Sequence, residues 1–262
     1  PDWWSAIEGV SVTRLEENIG YSGGMSLLAG EACGTYLWLL NNDTTLAPNS
    51  LADVLAVLDD GFVGARLPVV YNEDGSIQSR DSTWSPVLGW RAGKVAQLEH
   101  APIFGDIFVA PILNRFLVHD LKLLPSAFHT YGEDLDACYA LAMCGYPVVR
   151  APSIVLFHRK SSSKPRDPLV RYIFDSQGVR NILASAMINY SASSFWAIPL
   201  LAGKLMIREL IMRQPRQVVI SPRALRELMR VPRGSISLAT TRSTRQRARK
   251  TSDYRVWRTG KS

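Results

Sequence analysis

Apolar and polar positions switch between a period near two and a period near 3.6 through the first 160 residues, and the switches lay out the elements. Gly9 to Thr13 reads as a strand, residues 22–34 as a helix, Thr35 to Leu40 as a buried strand and Asn49 to Leu58 as a helix. Phe62 to Tyr71 predicts a further strand, closed by the turn Asn72-Glu73-Asp74-Gly75-Ser76. A strand is expected at Ile103–Leu113, a helix starting near Glu133 and another strand at Val148–Phe157. Beyond the breaker-rich linker Ser161-Ser162-Ser163-Lys164-Pro165, residues 168–230 read as mostly helical. Strands alternating with helices argue for an α/β layered sheet. The expected division is a first domain over 1–165, a helical region over 166–230 and a basic, disordered tail over 231–262.

Charge changes this picture at the C-terminus. The chain of 262 residues has a net charge of +7, but residues 204–262 hold sixteen Lys or Arg against Glu209, Glu227 and Asp253. An acidic body thus precedes a basic tail, as expected of an anchor for an anionic surface. The apolar, aromatic run from Ser194 to Gly203, continued by Leu205, Met206, Ile207, Leu210, Ile211 and Met212, lies just before it. That run is shorter than the ~20 residues that span a bilayer. It fits a helix lying in the membrane interface, or an ordinary amphipathic packing helix. Only Tyr254 and Trp257 interleave the tail with aromatics, which speaks against nucleic acid. Cys33, Cys138 and Cys144 are too few and too irregularly spaced for a disulfide framework or zinc site, and fit reduced, cytosolic thiols. The N-terminus lacks a basic start and an apolar core, so no signal peptide is expected. It also lacks a starting Met, in keeping with a fragment or a processed product.

Candidate chemistry sits where strands end, since ligands in open α/β sheets bind beyond the carboxyl ends of strands. Asp43 follows the apolar run Tyr36-Leu37-Trp38-Leu39-Leu40, with Asn41 beside it. That pair can ligate a hard divalent cation whose remaining positions take diphosphate oxygens, or it can be turn chemistry before a helix. Glu133 and Asp134 fall in a first helical turn, where a general base or a helix-dipole contact is expected, and Asp136 after them is a candidate for meeting the acceptor. His158 ends an apolar strand and reads as a metal ligand or as a satisfied structural histidine. Asn18, Gly20 and Gly23 precede a helix, where free amides favour phosphate. Trp84 and Trp90 could stack on sugar faces or pack in a core.

Taken in order, NxGxxGG, then Ala32-x-Gly34 leading to Leu39-Leu40-Asn41-x-Asp43-Thr44, then Tyr131-Gly132-Glu133-Asp134-Leu135-Asp136, then a strand ending in His158, resemble the family 2 glycosyltransferases with a GT-A fold. The rhamnosyltransferase-like bacterial branch is the nearest in pattern. The resemblance covers roughly residues 9–185. It implies a Rossmann-like mixed sheet flanked by helices, N-terminally incomplete, with a C-terminal helical and basic extension. In the family, at least one β-α-β unit bearing nucleoside contacts precedes the segment with which this chain begins. Three local departures stand out: Met25-Ser26 after the glycines, Leu123-Leu124-Pro125 ahead of the acidic pair, and Tyr139 or Ala140 where an Arg is common.

The resemblance further implies an inverting transfer of a sugar from a dTDP- or UDP-sugar to a glycan or lipid-linked acceptor. Asp43, Asn41 and His158 would hold Mg²⁺ or Mn²⁺ on the diphosphate. Asp134 would deprotonate the acceptor hydroxyl, with Glu133 orienting it. Gly105 corresponds to the glycine before the acceptor-side strand, and Arg180-Asn181 to a downstream Arg-Asn pair. The expected place is the cytoplasmic face of the cell membrane. A catalytically inactive remnant of the fold that binds a glycan or partner is the rival expectation.

Overall fold

The computed structural model describes residues 3–58, 64–85, 89–95, 103, 105–106, 108–159, 168–190, 196–212 and 235–251. Among the described residues the main sheet is five-stranded and mixed, with helices against it. Its strands are β1 (Tyr36–Trp38), β2 (Thr44–Leu46), β3 (Ala65–Asn72), β6 (Ile112–Asn114) and β7 (Val148–His158), in the spatial order β1-β6-β3-β7-β2. A separate hairpin joins β4 (Arg80–Ser85) to β5 (Gly89–Val95). The helices are α1 (Gly20–Glu31), α2 (Ser50–Leu58), α3 (Arg115–Asp120), α4 (Glu133–Met143), α5 (Pro168–Asn189), α6 (Ala197–Met212) and α7 (Ser235–Thr251).

The central pair is β3 and β7, which run parallel with Ala65 opposite Val148 and a register shift after Pro68. Both strands are buried on both faces over their first four residues, which is why they read as mainly apolar runs, each broken by one buried arginine, Arg66 or Arg150. Helix α4 packs Ala137, Cys138, Ala140 and Leu141 into the main core, together with Leu67, Leu113, Leu123 and Val148. The remaining pairings are antiparallel, so the sheet is mixed as expected.

Two expected strands are corrected. Gly9 to Thr13 forms no strand: Val10 and Val12 are exposed and no neighbouring strand pairs with them. The strand expected at Ile103–Leu113 shrinks to Ile112–Asn114. Upstream, its backbone makes scattered single bonds instead, from Ile103 to the Val148 carbonyl, and at Val109 and Pro111 to the amides of Asn41 and Leu39. The tail also differs from expectation, because residues 235–251 form α7. The linker 161–165 and residues 213–230 lie outside the described residues.

Candidate active site

Antiparallel pairing of β2 with β7 sets Thr44 opposite His158, and this register carries Asp43 to the end of β7. His158 Nε2 stands 3.1 Å from Asp43 Oδ1, and its Nδ1 stands 3.0 Å from Gln78 Oε1. The tautomer decides which contact is the donor: a proton on Nε2 is donated to Asp43, whereas a proton on Nδ1 is donated to Gln78 and leaves the Nε2 lone pair beside the carboxylate oxygen. Two acceptors face each other at that distance only with a proton or a cation to share. Adjacent ligands of an octahedral cation bound at ~2.0–2.1 Å are about 3 Å apart, so the pair fits such an ion. Asn41 Oδ1 is buried and accepts no hydrogen bond among the described residues, which leaves a third oxygen in this turn. Among the described residues no group of three His, Cys, Asp or Glu converges, so any cation here relies on Asp43, His158 and non-acidic oxygens. A cleft of about 390 Å³ opens beside Asp43, Thr44 and Thr45, with the Arg159–Glu73 ion pair at its edge.

The second acidic turn is reached through a left-handed stretch. His129, and after Thr130 also Tyr131 and Gly132, have positive φ, of 59°, 66° and 89°. Asn181 of α5 holds this turn by donating from its amide to the carbonyls of Phe128, Thr130 and Tyr131. Arg180 adds bonds to the Ala127 and Phe128 carbonyls. The turn delivers Glu133 buried, with Oε2 accepting no hydrogen bond among the described residues, and Asp134 half-buried with Oδ1 taking the Leu135 amide. Burial pushes Glu133 up to about 8, with Asp134 and Asp136 adding to the rise. Burial likewise raises Asp134 to about 6, helped by Asp106 and opposed by the Leu135 amide. Near neutral pH the pair therefore holds one proton, mainly on Glu133, and leaves Asp134 as the anion.

The two turns share a neighbour. The Asn41 amide donates to the Val109 carbonyl, while the adjacent Phe108 amide faces the Asp134 carboxyl. Tyr21 Oη donates to the Phe108 carbonyl, and its hydroxyl is raised by burial and by Glu133 and Asp134. One short segment, Phe108–Val109, thus lies between the cation-type turn and the acid–base pair.

The glycine-rich turn packs against the turn that leads to Glu133. Asn18 Oδ1 takes the Gly20 amide and the His129 carbonyl takes the Ser22 amide, so those amides are already used. A Cβ on Gly20, whose φ is +75°, would lie 2.3 Å from the His129 oxygen. Gly23 is tight against Ile19. Asn18 and Gly20 therefore seat α1 on the turn that precedes Glu133, and Gly23 lets the start of α1 pack on Ile19. Asp136 is also corrected: it is fully buried, and Arg245, Ser185 and Asn189 occupy its oxygens, so it cannot meet an acceptor. Gly105 is buried and its carbonyl takes the Ser82 amide, while the neighbouring Asp106 pairs with the buried Arg150. Trp84 and Trp90 sit opposite each other in the β4–β5 hairpin, and their side chains lie outside the described residues.

Four participants escaped the sequence reading. Tyr21, Gln78, Arg150 and Arg245 reach the site from segments of unrelated periodicity, and only the fold brings them there.

Residues 4–117 match the family model for glycosyl transferase family 2. That segment holds Asn41, Asp43 and Gly105, while Glu133, Asp134 and His158 lie beyond it. No curated protein sequence matches the chain. Among solved structures, GalNAc-T7 with UDP, GalNAc and Mn²⁺ superposes with a TM-score of 0.51 at 16% identity, covering 68% of this chain and 36% of that one. S. aureus TarS gives 0.47 at 16% identity, covering 92% of this chain and 44% of that one. TarS in complex with UDP-GlcNAc gives 0.48 at 14% identity, covering 94% and 76%. The chain thus spans little more than a third of GalNAc-T7. It has a GT-A-like α/β fold that matches glycosyl transferase family 2 over residues 4–117.

Proposed function

We propose that this chain transfers a sugar, with inversion, from a nucleoside-diphosphate sugar to a hydroxyl of a glycan or lipid-linked acceptor. The observation that carries this reading is the convergence of Asn41–Asp43 and Glu133–Asp134 on the Phe108–Val109 segment. That shared neighbour supports reading the cation-type turn and the carboxylate pair as parts of one site. The family match over residues 4–117 supports the reaction class.

In this mechanism Asp134, the ionised member, takes the proton from the attacking acceptor hydroxyl. Glu133 stays protonated near neutral pH and donates a hydrogen bond, so the two carboxyls divide the acid and base roles between them. Tyr21 closes the pair on the α1 side. Asp43, His158 and Asn41 would hold Mg²⁺ or Mn²⁺, which when bound offsets negative charge on the diphosphate leaving group. Gln78 sets the His158 tautomer. The donor is read as a dTDP- or UDP-sugar carrying a hexose, rhamnose-like sugars included, and the product as a cell-envelope polysaccharide.

Placement at the inner face of the cell membrane belongs to the same reading. Among the described residues no helix is long and apolar enough to cross a membrane. Trp196 (63% exposed), Leu200 (51%) and Ile207 (57%) lie along α6 and the residue leading into it, an apolar stripe suited to the interface. Trp196→Ser with Leu200→Ser should reduce partitioning onto anionic vesicles; unchanged partitioning would remove the membrane from the proposal.

The deciding experiment is calorimetric titration of UDP, dTDP and GDP into the full chain, with and without Mn²⁺. Cation-dependent binding of one nucleotide, lost in Asp43→Ala, is expected. Binding that ignores both the cation and Asp43 would overturn the assignment of this turn. Product formation that survives Asp134→Asn would remove Asp134 as the base, whereas glycan binding with no product from the unaltered chain would point to the rival, a catalytically inactive remnant.

A further inference from the structure

Arg245, in the segment whose charge suggested a surface anchor, is fully buried. Its Nη1 and Nη2 donate to Asp136 Oδ1 and Oδ2 at 2.9 and 2.7 Å. Nη1 also donates to Asn189 Oδ1 at 3.0 Å, Nη2 to the Lys122 carbonyl at 2.8 Å and Nε to the Leu121 carbonyl at 2.8 Å. All five N–H groups of the guanidinium are used. One side chain on α7 therefore joins the end of α3, the first turn of α4 and the end of α5. Asp136 is satisfied as well, by Ser185 Oγ at 2.8 Å and Asn189 Nδ2 at 2.6 Å besides the guanidinium.

Asp136 belongs to the same helical turn as Glu133 and Asp134, and its amide closes that turn on the Gly132 carbonyl. At about 100° per residue, Asp134 lies roughly 200° around α4 from Asp136. Fixing Asp136 toward α7 thus aims Asp134 to the opposite side of the helix, toward Phe108. A buried ion pair is weak grounds for stability by itself, but a fully satisfied network specifies geometry.

We propose that Arg245 is a positioning residue for the Glu133–Asp134 pair: α7, docked through Asp136, sets the rotation of the first turn of α4 and neutralises the Asp136 carboxylate. This inference rests on the reading of that pair as the acid–base site. The charged and titratable groups around the pair are Asp136 and Cys138 on α4 itself, Tyr21 from α1, Asp106 from the segment before β6 and Arg150 from β7 beyond Asp106, while His129 and Arg180 hold the preceding turn. Arg245 acts on it only through Asp136.

The test is ¹³C-carboxyl NMR titration with amide exchange on the full chain. In Arg245→Gln the Glu133 midpoint is expected to rise by about one pH unit, because Asp136 becomes an unpaired anion beside it. Exchange at the Leu135 and Asp136 amides is expected to quicken about ten-fold, which corresponds to 1.4 kcal/mol. Adding Asp136→Asn should bring the midpoint back to or below the wild-type value while exchange stays fast. A folded Arg245→Gln with both readouts unchanged overturns the proposal. Should that variant fail to fold, Arg245→Lys decides: it keeps the charge but has three donors in place of five. Faster exchange with an unmoved midpoint supports positioning, and unchanged exchange overturns it. Wild-type sugar transfer in Asp134→Asn would instead remove the acid–base reading, and would leave the Arg245 effects on titration and exchange standing.

Discussion

His158 Nε2 and Asp43 Oδ1 are 3.1 Å apart although 115 residues separate them in the chain, and the β2–β7 register alone brings them together. Because Gln78 takes the other ring nitrogen, the imidazole cannot turn away without losing that bond. The outer partner of a metal-binding histidine is commonly worth about 10–100-fold in affinity. Gln78→Ala should therefore weaken Mn²⁺ binding by about ten-fold or more, measured by electron paramagnetic resonance of free Mn²⁺. Unchanged affinity would remove Gln78, and with it the fixed tautomer, from the site.

The rate of transfer should follow a bell against pH. Asp134 must lose its proton, so the rate rises through about pH 6. Glu133 must keep its own, so the rate falls above about pH 8. In Glu133→Gln the alkaline limb should disappear while the acid limb remains. An alkaline limb that persists in this variant would assign it to another group.

Stability should carry the same signature with a definite sign. Both carboxyls have folded values above their unfolded ones, so the folded chain binds more protons in the window between them. Their contribution is fully present below about pH 4 and is lost as pH rises through about 6 for Asp134 and about 8 for Glu133. Glu133→Gln removes that loss. Its melting temperature, relative to wild type, should be higher at pH 8.5 than at pH 4.5 by several degrees. An equal offset at both pH values would sink the idea that Glu133 is buried with a raised affinity for its proton.

Arg150 is fully buried and bridges Asp106 at 2.9 Å and Asp81 at 3.0 Å, while also donating to the Pro68 carbonyl. Arg150→Met should cost about 3–5 kcal/mol by leaving Asp106 buried and uncompensated. Denaturant unfolding reads this directly. Since Asp106 also raises Asp134, the acid limb of the pH–rate profile should move upward in any folded fraction.

Gly20→Ala tests the seat of α1. The positive φ and the 2.3 Å approach to the His129 carbonyl leave no room for a methyl group. A cost of about 1–3 kcal/mol is expected. His129 lies four residues before Glu133, so kcat should fall more than the donor KM rises. A fall confined to KM would instead return Gly20 to donor binding.

Much of the sheet was legible because strands buried on both faces read as apolar runs. Residues 65–72 and 148–158 were expected within a few residues of where they lie. Helix α4 was legible from its acidic first turn after Gly132. Gly9–Thr13 misled because apolar alternation signals a strand only if another strand pairs with it. Asn18–Gly24 marks a limit of local pattern, because a glycine needed for close packing looks the same in sequence as one needed for a phosphate. Asp136 misled for a related reason. A carboxylate in a motif carries no mark of whether it faces a substrate or an arginine 109 residues away.

The sequence by itself determined the α/β class, the two acidic turns and the histidine at a strand's end. Each of these is written in short-range periodicity and in residue types that occupy strand ends and helix starts. The tertiary structure alone decided which of these residues meet. Pairing β2 to β7 joins Asp43 to His158, the Phe108–Val109 segment joins both acidic turns, and α7 returns Arg245 to Asp136. Those meetings depend on strand order, register and helix docking, which are set by long-range burial rather than by any local pattern. The same burial raises Glu133 and Asp134 and lets them share one proton, so the chemistry of the pair belongs to the fold.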